Sequence, residues 1–146
     1  MPRRFTAALL FLPLIATIGY AQSPSANAAL PEIRPKIRTV TAFVRLDRAG
    51  YRAQVTEALK MLRAARDAYT KAGYEVETIR ITTQPFPEYT RGLTAEQTLE
   101  FFHTYDKLAQ QEGFTPDIGA AMMKDSDDLG QAELLARILA ETQNIN

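Results

Sequence analysis

From residue 37 onward the apolar positions switch between a two-residue period and a three-to-four-residue period. Ile37 to Leu46, IRTVTAFVRL, is rich in β-branched residues and holds apolar members in both alternating sets: Val40, Ala42 and Val44 in one, Ile37 and Phe43 in the other. A strand apolar on both faces suits an interior position in a parallel sheet. Val55, Ala58, Leu59, Leu62, Ala65 and Tyr69 then recur at helical steps, which predicts a first helix from near Ala49 to Ala72. Asp47 is its expected N-cap, and Gly73 supplies the left-handed residue that ends it. Arg63 with Asp67, and Asp67 with Lys71, stand as i,i+4 pairs on the polar side. Residues 73 to 89 are the most informative stretch: a helix-stopping Gly73, a β-branched strand over Tyr74 to Thr83, and a Pro85-Phe86-Pro87 turn that closes it.

Thr94-Ala95-Glu96-Gln97 reads as a capping box. It opens a second helix whose apolar face is Phe101, Phe102, Tyr105, Leu108 and Ala109, and which Gly113 ends. A short third strand, Asp117 to Met123, leads to a third helix with Asp127 and Asp128 near its positive end and Leu135, Ile138, Leu139 and Thr142 on one stripe. The order is β-α-β-α-β-α, an α/β class with three mostly parallel strands. Two right-handed crossovers running the same way place the first two helices on one face of the sheet. That leaves only the third helix for the other face. The expectation is an exposed apolar far face and an open edge, and so a domain that needs structure beyond these elements.

The N-terminus reads differently. Arg3 and Arg4 precede an uncharged, largely apolar run from Phe5 to Gly19, and Gly19-Tyr20-Ala21 offers small residues at the −3 and −1 positions of an export signal. Residues 1–21 are the expected signal peptide, and Ala26-Asn27-Ala28 is a second possible cleavage triplet. A membrane span takes about 20 apolar residues; this run is shorter and Pro13 breaks it, so no membrane attachment is expected after cleavage. No cysteine follows the run, which excludes lipoprotein attachment. Residues 22–36, with Pro24, Pro31 and Pro35, predict a flexible linker to a domain over residues 37–146. The expected location is periplasmic or extracellular.

Charge and cysteine content remove whole classes of function. Losing Arg3 and Arg4 from 17 basic residues leaves 15 against 17 acidic ones, without a basic cluster, so nucleic acid is not an expected partner. The chain has no cysteine. Disulfides, thiolate nucleophiles and cysteine-ligated metals are excluded together.

In parallel α/β sheets, ligands sit beyond the carboxyl ends of the strands. Those ends present Arg45 and Asp47, then Thr82, Thr83 and Gln84, then Lys124 and Asp125. Arg45 or Lys124 would hold a carboxylate or phosphate, with Thr82, Thr83 and Gln84 orienting it. The competing reading makes Asp47 and Asp125 helix caps and the threonines ordinary strand formers before a turn. Asp125-Ser126-Asp127-Asp128-Leu129-Gly130 begins like a calcium loop, but Leu129 and Ala136 occupy positions that need oxygen ligands. His103 is the only histidine, and no catalytic partner can be named for it. No phosphate-binding glycine loop, nucleophile elbow or zinc motif is present. No catalytic residue, metal ligand or cofactor is nominated.

Ile37-Arg38-Thr39-Val40-Thr41, Ala72-Gly73-Tyr74-Glu75-Val76 leading to Thr82-Thr83-Gln84-Pro85-Phe86, and Ile138-Leu139-Ala140-Glu141-Thr142 resemble the N-terminal part of the family called domain of unknown function 711. The resemblance covers nearly all of the chain after the signal, and its motifs are structural. It implies a fold similar to the pyruvate formate-lyase-like glycyl radical enzymes, a barrel of two half-sheets ringed by helices, of which this chain is an incomplete piece. It implies no activity. The radical chemistry of that fold needs a cysteine, and this chain has none. The functional expectation is an exported protein of unknown biochemistry without independent catalysis, completed by a homodimer or by the missing C-terminal portion of its own domain. The alternative is a small extracytoplasmic module that binds a ligand or a protein.

Overall fold

An extended strand cannot pair its backbone groups within itself, so IRTVTAFV takes its partners from another segment. In the computed structural model, which describes residues 34–146, Ile37–Val44 forms β1 and pairs in parallel with β2, Val76–Pro85. Strand β3, Thr115–Gly119, pairs in parallel with the far side of β2, so the order across the sheet is β1-β2-β3. Residues 1–21, the expected signal peptide, and all but the last three residues of the expected linker lie outside the described residues.

Helix α1, Tyr51–Lys71, buries Tyr51, Val55, Leu59 and Leu62 against β1 and β2. Asp47 does not cap it. Gly50 is the N-cap, and Asp47 instead closes the preceding turn by accepting the Gly50 N–H at 3.0 Å. Gly73 is left-handed at φ 85°, as expected. The two i,i+4 pairs do not form; Arg63 reaches across to Glu112, donating to its carboxylate at 2.9 Å and its carbonyl at 2.8 Å. A guanidinium on the carbonyl end of another helix also gains from that helix's dipole, which a neighbouring Asp67 cannot offer.

The Pro-Phe-Pro turn is a short helix, α2, Phe86–Tyr89. Proline is tolerated in a first helical turn, and the winding drives Phe86 and Tyr89 into the core. Helix α3, Ala95–Glu112, starts at the expected Thr94–Gln97 capping box and ends at left-handed Gly113. Its Phe101, Phe102 and Tyr105 meet Tyr51, Phe86 and Tyr89 mostly edge to face, with centroids between 5.2 and 6.3 Å. Such pairs add about 0.5–1.5 kcal/mol each beyond area burial, so this aromatic cluster is the strongest link between the helices.

Helix α4, Gly130–Glu141, packs on α3 and buries Ile138. It therefore joins the helical side and does not cross to the opposite face. After it, Asn146 bonds Pro116 O and Ile118 N at 2.9 Å each, lying beside β3 as a parallel rung. The third strand starts two residues before its expected position because Phe114, directly after Gly113, is buried and pulls the chain into the sheet.

Two expectations about the sheet are corrected. Strand β1 is a rim strand, because both crossovers step in one direction and leave the first strand outside. The face away from the helices is also polar. Ala42, Ile79, Ile81, Pro116 and Ile118 are buried on the helical side, whereas Thr39, Thr41, Thr78, Arg80, Thr82, Thr115 and Asp117 share the other. Phe43 stands among them with 84% of its surface exposed.

Candidate functional site

At the carboxyl ends of β1 and β2 the chain leaves a cleft of about 550 Å³ between the β1–α1 turn and α2. Gln84 fixes its floor. Its amide Oε1 accepts the Leu46 N–H at 2.7 Å, and its Nε2 donates to the Leu46 carbonyl at 2.7 Å. That two-way clasp continues the parallel pairing one step past the last register pair, Val44 with Thr83. A second clasp, Gln54 Nε2 to Arg45 O at 3.1 Å and Asp47 N–H to Gln54 Oε1 at 2.7 Å, holds the turn to α1.

Three arginines line this cleft: Arg45, Arg48 and Arg91. Arg45 pairs with Glu88 at 3.3 Å, both side chains being well exposed. Arg48 donates to the Arg91 carbonyl at 3.3 Å. The Arg91 guanidinium makes no hydrogen bond or ion pair among the described residues. Asp47 is the other acid in the lining, and its carboxylate is occupied by the Gly50 N–H. The arrangement offers planar, fixed-charge donors to a carboxylate or phosphate.

The five residues nominated from sequence do not converge. Arg45 and Gln84 belong to the cleft, but Gln84's amide is spent on Leu46. Thr83 is buried on the helical face; its Oγ1 donates to Gln84 O at 3.0 Å, accepts the Gly119 N–H at 3.2 Å and meets the Tyr89 hydroxyl at 3.1 Å. Burial pushes the Tyr89 phenol well above its ordinary range despite that contact. Thr82 points the opposite way, donating to Asp117 Oδ2 at 3.0 Å on the polar face. Lys124 lies in the exposed loop after β3, with its backbone N–H on Asp127 Oδ2 at 2.9 Å. Consecutive strand residues cannot share a face, which parts Thr83 from Thr82; Gln84 sits where the pairing with β3 becomes irregular, between Thr82 and Pro85, and turns to Leu46.

Arg48 and Arg91 are the cleft residues that sequence reasoning missed. Arg48 was readable as a neighbour of Arg45 and Asp47. Arg91 was not, because its place depends on α2 folding where a plain turn was expected. The acidic loop is a turn: Asp127 accepts from Met123 and Lys124, and Asp128 from Gly130 at 2.9 Å. No group of metal-binding side chains occurs among the described residues. His103 has a neighbour after all, Glu141, with Nε2 3.4 Å from Oε2 on the half-exposed α3–α4 surface.

No curated protein and no solved structure matches the chain. The family model described as "Uncharacterised ACR (DUF711)" matches residues 30–146. That span takes in every strand and helix described above, together with the cleft and the polar sheet face. The chain belongs to the DUF711 family.

Proposed function

We propose that this family member is an exported protein that binds a small anionic ligand in the strand-end cleft and performs no catalysis on its own. The carrying observation is the gathering of Arg45, Arg48 and Arg91 around a cleft whose floor the Gln84–Leu46 clasp holds rigid. No serine, cysteine or histidine lines it. The arginines are solvated, so each contact with a carboxylate is worth about 1 kcal/mol or somewhat more. Three or four such contacts give a Kd of roughly 0.1–6 mM at low salt. Calorimetric titration with citrate at low ionic strength tests this: wild type should bind in that range, and R48A/R91A should lose about 30-fold. Equal affinity of the two proteins would refute the cleft.

Export rests on Arg3, Arg4, the apolar run and the Gly19-Tyr20-Ala21 triplet. Expression in a bacterium with a periplasm, followed by N-terminal sequencing, should find a mature protein beginning at Gln22. Full-length protein retained in the cytosol would reject it.

A second reading is favoured by the polar sheet face. Parallel sheets are ordinarily covered on both faces, and here α1, α3 and α4 occupy one side. This supports the domain as the first portion of a larger α/β barrel of the pyruvate formate-lyase-like type, with a homodimer as the other way to complete it. Sedimentation of residues 22–146 separates these, and a cooperative, reversible melt of a strict monomer would defeat both.

A further inference from the structure

The polar face carries an arginine that no feature of the fold explains. Arg80 lies at the centre of the middle strand, between Thr41 of β1 and Thr115 of β3 in register. Thr78 and Thr82 lie on the same face, one step along β2 to either side. The Arg80 side chain is half-buried, and its Nε is shielded from water without any hydrogen-bond partner. The guanidinium makes no ion pair or hydrogen bond among the described residues. An arginine has five donors in a rigid fork, and a shielded donor left unmade costs about 1–3 kcal/mol. Unpaired groups of this kind ordinarily mark a bound water, ion or ligand. Its Nη1 and Nη2 are not shielded in this way, so the outer end of the fork is open to an incoming group.

One acid shares the face. Asp117 sits beside Thr82, one row further along, so its backbone is roughly 8 Å from that of Arg80 by strand rise and strand spacing. No ion pair joins the two. Asp117 Oδ2 accepts from Thr82 at 3.0 Å, and Oδ1 has no donor among the described residues. The hydroxyls of Thr41 and Thr115 likewise make no hydrogen bond among the described residues. The sheet register thus holds a positive fork and a negative acceptor apart on one surface, with spare hydroxyls flanking the fork.

The geometry points to a second ligand site on this face, separate from the cleft: Arg80 grips the carboxylate of a small molecule whose hydroxyl or ammonium group donates to Asp117. A single guanidinium beside neutral hydroxyls suits a planar monoanion. A dianionic phosphate would meet Asp117's charge at close range. The site does not depend on the cleft, because Arg80 and Asp117 face away from the helical side.

Backbone-amide NMR titration of the full chain with lactate and with glycine tests it, with acetate and inorganic phosphate as comparators. Wild type should show saturable shifts centred on Arg80, Thr115 and Asp117. Arg80→Gln should weaken lactate binding by about 10- to 100-fold, the loss of a charge-assisted fork, and Arg80→Lys by less. Asp117→Ala should erase the preference for lactate and glycine over acetate. The affinity is read from the Arg80, Thr115 and Asp117 amides alone, which separates this site from any carboxylate held in the cleft. Equal lactate affinity in wild type and Arg80→Gln overturns the site, as do shifts confined to the cleft, and phosphate binding tighter than lactate overturns the carboxylate assignment. Should Arg80→Gln not fold, phenylglyoxal labelling of the wild type decides: lactate must slow modification at Arg80, and an unaltered rate refutes the proposal.

Discussion

Replacing Gln84 by alanine separates the clasp from everything else the residue does. The Gln84 side chain makes two hydrogen bonds of 2.7 Å, both to the backbone of Leu46 and both part-buried. Each net hydrogen bond is worth about 0.5–1.5 kcal/mol, and stranding its partner costs up to about 3 when water cannot reach. Leu46 is itself 3% exposed, but the cleft admits water beside it, so partial rehydration places the total loss near 2 kcal/mol. With a urea m-value of about 1–1.5 kcal/mol/M for a domain this size, the unfolding midpoint should fall by roughly 1.5 M at unchanged m. Gln84→Glu is the matched control. It keeps an acceptor for the Leu46 N–H and sets a carboxylate against the Leu46 carbonyl, so it should be no more stable than the alanine variant. A Gln84→Ala loss below about 0.5 kcal/mol, the scale of ordinary surface changes, would show that the clasp does not hold the cleft floor.

Three further outcomes follow from the same geometry. A Cβ on Gly119 would lie 2.3 Å from the Gln84 carbonyl atoms and 2.4 Å from Pro85 N, so Gly119→Ala must push β2 and β3 apart. It should cost more than about 3 kcal/mol by chemical denaturation, against about 1 for a typical substitution. Tyr105 buries its hydroxyl without a partner, so Tyr105→Phe should be stabilising by about 1 kcal/mol. Burial also raises the Tyr105 and Tyr89 phenols from 10.0. Their contribution is therefore complete below pH 10.0 and lost as the pH rises beyond it, and alkaline melts of Tyr105→Phe should fall less steeply than wild type. Backbone N–H groups of Met123 and Lys124 hold the Asp127 carboxyl below its ordinary 3.8; the loop they close is kept above that value and released as the pH falls through the lowered one. NMR shifts of those two amides should titrate with a midpoint under 3.8 and stay flat in Asp127→Asn.

The helices were readable because their signals are local. The Thr94–Gln97 box, Gly73 and Gly113 act within a few residues of themselves, and all three formed as expected. Strand order and the character of the open face depend on pairing across long loops, and there periodicity misled. Ile37 and Phe43 made β1 look apolar on both sides, although its far-side neighbours in the sheet are Thr39, Thr41 and, across the register, Thr78, Arg80 and Thr82. The alternation of Thr78, Arg80 and Thr82 with Ile79 and Ile81 carried the correct pattern. The candidate site fared worse because three consecutive residues were grouped by position, whereas the pleat sends Thr82 and Thr83 to opposite faces. Arg91 entered the cleft only through α2, whose winding is driven by burying Phe86 and Tyr89.

Every strand contact in the domain joins distant residues: Thr78 bonds to Arg38 across 40 positions and Thr82 to Asp117 across 35. No hairpin exists among the described strands to seed the sheet, so each ladder closes only across a connection that contains a helix. Such topologies fold slowly compared with helical bundles, and α3, carrying its own start and stop signals, is the natural nucleus. While β1 waits for β2 to emerge and arrive, its β-branched rim is open to other chains.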